Sequence, residues 1–294
     1  MAYNVLSCVE NLGNTGLANC KDDLGYDAML LWTTDSFEFA SEADAQDQDK
    51  YEEAINAGTM FPMPQFDEIE PALEDDVKQE LATGIKLFVR EGKYGGIGRF
   101  EGALCTLSNL RTFNRVKGRA FIVTSEGNIF GTSPDGVKFR GFKLSEFNVG
   151  KLGSTDGSTK RMIPIAYQFK NPTEMGDYPA VPTLTWDGLD LAGVIDVNLT
   201  GSGTAVAGLV IVSVARKCDS EVVTGLVEAD FTLLNAAASE QLPADTFADN
   251  ADGTYSFTFS TPLAADSYTL NLKTPAAQTT GGYESTAAIS FTIT

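Results

Sequence analysis

The sequence predicts a mainly β chain of two domains. The first is an α+β domain over residues 1–172, a sandwich or barrel of strands with one flanking helix. The second is an all-β sandwich over residues 181–294. Three observations carry this. Apolar and polar residues alternate with period two in short runs between 85 and 169. Within that region only 103–116 spaces its apolar residues as a helix does, through Leu104, Leu107, Leu110 and Phe113. Beyond Pro179 basic residues nearly vanish, Thr, Ser, Ala and Val rise, and no amphipathic helix interrupts the strand-like runs. Two domains is also the ordinary expectation for 294 residues.

Taken in order, residues 1–40 mix apolar pairs with Gly, Asn and Asp. A short strand is expected at 28–32, and the rest reads as an arm that needs a partner. Ser41, with Asp44 three residues on, is a good N-cap for an acidic helix over 41–58. Its buried stripe would be Tyr51, Ala54 and Ile55. Met60-Phe61-Pro62-Met63-Pro64 breaks that helix, and 59–79 is expected to be a long acidic loop. Ile85, Leu87 and Val89 alternate with Lys86, Phe88 and Arg90, a strand with one wetter face. The 91–96 stretch then supplies a turn and 97–100 resumes the strand. Gly118 stands where a helix following Ala103 would place its C-terminal glycine. Strands at 119–124, 129–132, 137–147 and 161–169 follow, with turns at Glu126-Gly127-Asn128 and Ser133-Pro134-Asp135-Gly136.

The 171–179 stretch, with two prolines and a glycine, reads as a linker. Seven short strands are expected after it, at 184–186, 194–200, 209–215, 229–234, 253–260, 267–274 and 286–294. The clearest alternation lies in Tyr255-Ser256-Phe257-Thr258-Phe259 and Tyr268-Thr269-Leu270-Asn271-Leu272.

Composition removes several function classes. The chain has no histidine, which excludes Ser-His-Asp and Cys-His catalysis and every histidine-dependent metal site. Cys8, Cys20, Cys105 and Cys218 show no C-x-x-C pairing. Free thiols in a reducing cell are expected, with Cys105 buried on its helix, although Cys8 and Cys20 could bridge a loop. The N-terminus lacks the basic start and apolar run of a signal peptide, and no stretch approaches a transmembrane span. Synthesis in the cytoplasm without a membrane anchor is therefore expected.

The net charge of −19 is unevenly spread. Residues 1–80 carry 3 Lys/Arg against 19 Asp/Glu, 81–170 carry 15 against 6, and 171–294 carry 3 against 15. One reading is a solvated acidic surface around a basic domain. The other is that acidic patches of one copy meet basic patches of the next and steer self-assembly. The residues nominated for such an interface are Arg111, Arg115, Lys117 and Arg119 on one side. On the other are Asp44, Asp47, Glu52 and Glu53, from an acidic run whose plain reading is a wet helix face.

Motifs with chemistry are weak. The glycines from 92 to 98 enclose Lys93 but miss the phosphate-loop spacing and its Ser or Thr, so a hairpin is favoured. Asp249-Asn250-Ala251-Asp252-Gly253 has calcium-like oxygen spacing without a distal Glu, and reads first as a turn. Asn198-Leu199-Thr200 matches a glycosylation sequon by chance if the chain is not secreted. No catalytic residue, cofactor site or metal site is expected, and an enzyme is not.

Some words of the middle region resemble a family. Gly92-Lys93-Tyr94-Gly95-Gly96, Glu101-Gly102-Ala103-Leu104-Cys105-Thr106-Leu107, Arg119-Ala120-Phe121-Ile122-Val123, Ile129-Phe130-Gly131-Thr132 and Ile163-Pro164-Ile165-Ala166-Tyr167-Gln168-Phe169 resemble virion structural proteins of tailed phages of Bacteroidetes bacteria. Their order around one helix is similar to phage tail-tube proteins. The 181–294 region looks like a bacterial immunoglobulin-like module, a frequent ornament of that family. The resemblance implies a virion location and a homo-oligomer, by analogy a hexameric ring stacked into a tube. Other virion proteins would be its partners, and DNA would pass through an acidic lumen only as cargo. The arm at 1–40 and the loop at 59–79 would bridge to the next ring. Alternatives are a head-decoration or tail-completion protein, or a glycan-binding adhesin using Tyr178, Trp186 or Tyr283.

Overall fold

The computed structural model describes residues 25–153, 160–201, 208–235, 240–241, 244–260, 263, 266–285 and 287–292. The chain is mainly β and divides into two compact units, 1–191 and 192–294.

The first unit is built on one nine-stranded sheet. Its strands are β1 (Asp27–Thr34), β2 (Met60–Pro62) and β3 (Glu68–Pro71), then, after an outlying pair β4 (Val77–Glu80) and β5 (Lys86–Arg90), β6 (Gly95–Glu101). They continue with β7 (Gly118–Thr124), β8 (Ile129–Thr132), β9 (Phe142–Val149), β10 (Met162–Phe169) and β11 (Pro179–Ala180). The order runs β11-β8-β7-β9-β10-β6-β3, and β1 adds to the other edge of β7 and carries β2. β7 is the centre: all seven of its residues are buried, because it is flanked along its whole length and covered on both faces. β10 shows the alternation expected of it, with Ile163, Ile165, Tyr167 and Phe169 buried and their neighbours half-buried.

Several expectations for this unit are corrected. The strand expected at 28–32 is present as β1, but it is longer and belongs to the core instead of sitting within a free arm. Leu30 and Leu31 are fully buried, and seven residues of β1 are in register with β7. Residues 1–24 of the arm lie outside the described residues. Of the supposed loop at 59–79, the 60–71 part is likewise tied down, while 72–79 runs out into the exposed β4. Met60, Met63 and Phe66 are buried, and the Met63 and Phe66 amides donate to the Leu30 and Ala28 carbonyls. The expected turn at 91–96 is absent: the chain runs through into β6, and the real turn is at 81–85.

The acidic helix forms as two pieces, α1 (Glu42–Gln46) and α2 (Gln48–Asn56), which end before Gly58. The helix expected over 103–116 is α3 (Leu104–Leu110), followed by a 3-10 turn over Arg111–Arg115. Leu110 is buried, and Phe113 meets Trp32, Phe61 and Phe147 edge-on. Leu104 is exposed instead of buried. Gly118 is not a helix cap but the first residue of β7, where a Cβ would lie 2.4 Å from the Trp32 ring and 2.5 Å from the Thr33 carbonyl oxygen.

The expected linker belongs to the first unit. Residues 172–176 form α4 (Pro172–Gly176), β11 pairs with β8, and Leu191 is buried. The 184–186 stretch is not a strand. Instead Trp186 donates its indole N–H to the Gln46 carbonyl at 2.9 Å and meets Tyr51 edge-on. The boundary lies at 191/192 because these contacts fold the proline-rich stretch back onto the sheet.

The second unit is a two-sheet sandwich. One sheet contains β12 (Ile195–Gly201), β13 (Leu209–Arg216), β16 (Thr246–Asp249), β17 (Thr254–Thr258) and β19 (Tyr283–Ser285). The other contains β14 (Phe231–Asn235), β15 (Glu240–Gln241), β18 (Ser267–Leu272) and β20 (Ile289–Thr292). One apolar cluster joins them, with Val197, Val212, Tyr255 and Phe257 from the first facing Phe231, Leu270 and Phe291 from the second. Six of the seven expected strands are present. β15, β16 and β19 were not expected, since each is short and none shows a long alternating run.

Candidate functional site

The acidic side of the first unit is organised by two caps. Ser41 Oγ accepts the Asp44 amide at 3.2 Å and donates to the Asp44 carboxylate at 2.8 Å, so Ser41 opens α1 as expected. Asp47, at φ −89° and ψ 115°, interrupts the helix and caps α2 by accepting from the Asp49 amide at 3.1 Å. Tyr51, Ala54 and Ile55 form the buried stripe. Burying them turns Asp47, Glu52 and Glu53 to solvent, with Asp44 half-buried. Beside them lies a groove of about 410 Å³ lined by Phe37, Glu38, Phe39, Asp44, Lys50 and Glu53, among others. Its floor is aromatic: Phe37 and Phe39 meet edge-on at 5.0 Å, and Phe39 is buried against Tyr51 and Phe139. Glu53 pairs with Lys50 at 2.8 Å and Glu38 with Lys138, both at the surface, where such pairs hold little energy.

The basic side lies at the end of α3. Arg111, Arg115 and Lys117 are exposed, and none takes part in an ion pair among the described residues. Arg115 and Lys117 border a second groove of about 340 Å³, with Asn114 and residues 144–148. Asn114 sets its shape, donating to Asn148 Oδ1 and the Val149 carbonyl at 3.1 Å each and accepting the Val149 amide at 2.7 Å. Nearby, a hydrogen bond from Lys143 holds the Asp35 carboxyl below the usual range, with Lys117 among the cations that add to the effect.

Arg119 does not join this surface. It is buried in β7, pairs with Glu174 of α4 at 2.7 Å and donates through Nε to the Gly141 carbonyl at 2.6 Å. Glu174 is also buried and accepts the Lys143 amide at 2.9 Å. Lys117 precedes β7 and is exposed, whereas Arg119 lies within β7, where every residue is buried. Its partner lies 55 positions on, in the stretch expected to be a linker.

Two carboxylates, Asp27 and Asp230, act as clasps. The Asp27 carboxylate accepts from Tyr94 at 2.8 Å and Tyr167 at 2.6 Å, tying β1 to β10 and to the chain entering β6. Burial, reinforced by the Asp27 charge, pushes both phenols well above the ordinary tyrosine range. In the second unit Asp230 is fully buried. It accepts from the Val227 amide, the Thr279 and Thr280 amides and the Thr280 hydroxyl. Burial pushes its carboxyl up, but those hydrogen bonds together outweigh burial and hold it below 3.8. The calcium-like loop consumes its own oxygens: Asp249 accepts from the Ala251 and Gly225 amides and Asp252 from Thr254. Among the described residues no group of three or more Cys, Asp or Glu could hold a metal ion. No described helix is long and apolar enough to cross a membrane.

Two cysteines depart from expectation. Cys105 and Cys218 are both disulfide-bonded instead of free thiols, and Cys105 is half-buried. Cys8 and Cys20 lie outside the described residues.

One exposed surface was missed. β4 and β5 pair only with each other, and Leu73, Val77, Leu81, Ile85, Leu87, Phe88 and Val89 are all exposed. The signal was present in the alternation itself, since an apolar residue, Phe88, interrupts the face otherwise set by Lys86 and Arg90. The chain matches no protein-family model and no curated protein.

Proposed function

We propose that this protein is a virion structural subunit, and most specifically a phage tail-tube subunit that polymerises as stacked rings around a DNA conduit. The observation that carries the reading is the pairing of opposite charges on one unit. Arg111, Arg115 and Lys117, exposed and in no ion pair among the described residues, lie at the end of α3, and exposed Asp47, Glu52 and Glu53 lie on α2 and its cap. Such surfaces favour association of identical copies and set its register. The strong net negative charge argues against gripping nucleic acid and suits a conduit through which phosphates slide. The second unit, an immunoglobulin-like module by its sequence, would be carried on the outside of the assembly. Stacking between rings would fall to other elements than β1, which is spent on the core.

Electron microscopy of the purified full-length chain tests this. Rings or stacked tubes are expected, and a population of dispersed single molecules at every concentration would rule it out. A head-decoration or tail-completion role would show as closed rings that never stack.

A further inference from the structure

The ladder between β7 and β9 ends early. It pairs Ala120 with Phe142 and Arg119 with Lys143. Continued in register, it would set Gly118, Lys117, Val116 and Arg115 against Leu144, Ser145, Glu146 and Phe147. Those two runs stand apart instead, as the walls of the groove of about 340 Å³ at the end of α3. The Arg119–Lys143 pairing closes one end of the groove, and Asn114 closes the other. The Asn114 carboxamide does there what the backbone of a neighbouring strand does, accepting the Val149 amide and donating to the Val149 carbonyl. Along a strand the backbone groups alternate between its two sides. The Gly150 amide donates to the Pro164 carbonyl, on the β10 side, and Val149 faces Asn114, on the other. Phe147 and Val149 are in regular register with Tyr167 and Ile165 of β10. Phe147 therefore turns its N–H and C=O into the groove, where the β7 ladder has ended and Asn114 is taken up by Val149.

Charge says what kind of chain would fill the gap. The 111–119 and 143–151 segments hold Arg111, Arg115, Lys117, Arg119, Lys143 and Lys151 against Glu146. Arg119 and Lys143 are taken by Glu174 and Asp35. Arg111, Arg115, Lys117 and Lys151 are exposed and in no ion pair among the described residues, so a positive surplus remains on a chain of net charge −19. A backbone donor beside a backbone acceptor suits a polypeptide; a phosphate would leave the Phe147 carbonyl facing an anion. The 144–148 wall runs roughly 17 Å at about 3.3 Å per residue, room for a short extended segment. We infer that this gap takes a short, acidic, extended segment of another protein, which adds to β9 as a strand at Phe147 with its carboxylates toward Arg115 and Lys117. This chain is not the source. Asp27, where the chain enters the sheet, pairs with Thr124 at the far end of β7 from Gly118. In a second copy Asp47, Glu52 and Glu53 sit on a helix and its cap, which offer no extended backbone. The inference goes beyond the self-association proposed above, which draws on the same cations.

The test uses the full-length chain and a labelled, end-blocked peptide, Glu-Val-Glu-Val-Glu, followed by fluorescence anisotropy at about 50 mM salt, where the Debye length exceeds 10 Å. The peptide should bind, and its Lys-Val-Lys-Val-Lys counterpart should not. Methylating the inner amide nitrogens keeps every charge but removes the donors, and should weaken binding by roughly tenfold or more. The double variant R115E, K117E should lose a similar factor, with near-ultraviolet circular dichroism checking that it folds. The amide resonance of Phe147 should shift on titration with the acidic peptide. No binding of that peptide, equal binding of its N-methylated form, or tighter binding of an oligothymidylate of equal charge would overturn the inference and leave ring formation standing. If the double variant loses self-association while the peptide fails to bind the parent, a second copy holds the groove, which overturns the inference and favours the ring reading. Peptide binding by a chain that never forms rings or tubes would keep the inference and sink the tail-tube reading.

Discussion

Asp230 shows how much one buried carboxylate can organise when its hydrogen bonds are complete. Its oxygens gather donors from 227 and from 279–280, segments about fifty positions apart. Asp230→Asn should destabilise the second unit by roughly 3 kcal/mol, because it replaces charged acceptance with an amide that can accept at only one position. Its folded-state carboxyl titrates below the unfolded value, so its stabilisation is full above about pH 4. That stabilisation is lost as pH falls through the folded value. Urea titrations between pH 2 and 7 should therefore show a shallower acid loss in the variant than in the parent, and equal slopes would refute the role. For Arg119 and Glu174 the expectation is asymmetric. Arg119→Met or Glu174→Gln alone should cost about 3–5 kcal/mol, since each leaves a buried group without its partner. An apolar pair, R119M with E174M, should recover much of that loss in the same denaturation assay. Tyr94 and Tyr167 ionise later than in the unfolded chain, so their contribution holds below about pH 10 and is lost as pH rises further. A spectrophotometric titration should find Tyr94 and Tyr167 ionising only as the protein unfolds, and Tyr255, which burial pushes up to about 12, ionising late as well.

At the scale of elements, the decisive contrast is between β1 and the ribbon. Both are apolar runs near charged, loop-like sequence, yet β1 is buried between neighbours and the ribbon is bare. Excising 75–91 in favour of a two-residue turn should leave the thermal midpoint within a few degrees of the parent. Removing 25–34 should leave the chain unable to fold. Circular dichroism melts separate the two outcomes, and a marked loss on ribbon excision would show that the ribbon supports its own unit. Gly118→Ala forces a methyl group onto the Trp32 ring and should cost about 1–3 kcal/mol by overpacking. The sequence placed a glycine there for a helix end. It could not show that the true constraint is an indole from a strand 86 positions earlier.

For the whole molecule, charge and covalent cross-linking set the working conditions. If unlike patches draw copies together, raising salt from about 50 mM to 500 mM should reduce assembly, because the Debye length falls from above 10 Å toward 4 Å. Sedimentation across that range would show it, and salt-independent assembly would leave apolar contact as the main driving force. Disulfides such as those of Cys105 and Cys218 persist under oxidising conditions and are lost to reductant. Thiol titration of the unfolded, unreduced chain should detect neither cysteine, and reduction should lower the thermal midpoint.

Local pattern alone determined the β class, most strands of both units, the Ser41 cap, the buried stripe of α2 and the absence of histidine chemistry. Each depends on neighbours within a few residues, and alternation or helical spacing records that directly. Tertiary structure decided the rest. It joined Trp186 to Gln46 and Glu174 to Arg119, and so moved the unit boundary to 191/192. It buried 27–34 and left 77–90 bare, although both runs are apolar. Alternation states which side chains share a face, whereas what covers that face is set by chain segments far away, here another strand for β1 and no described segment for the ribbon.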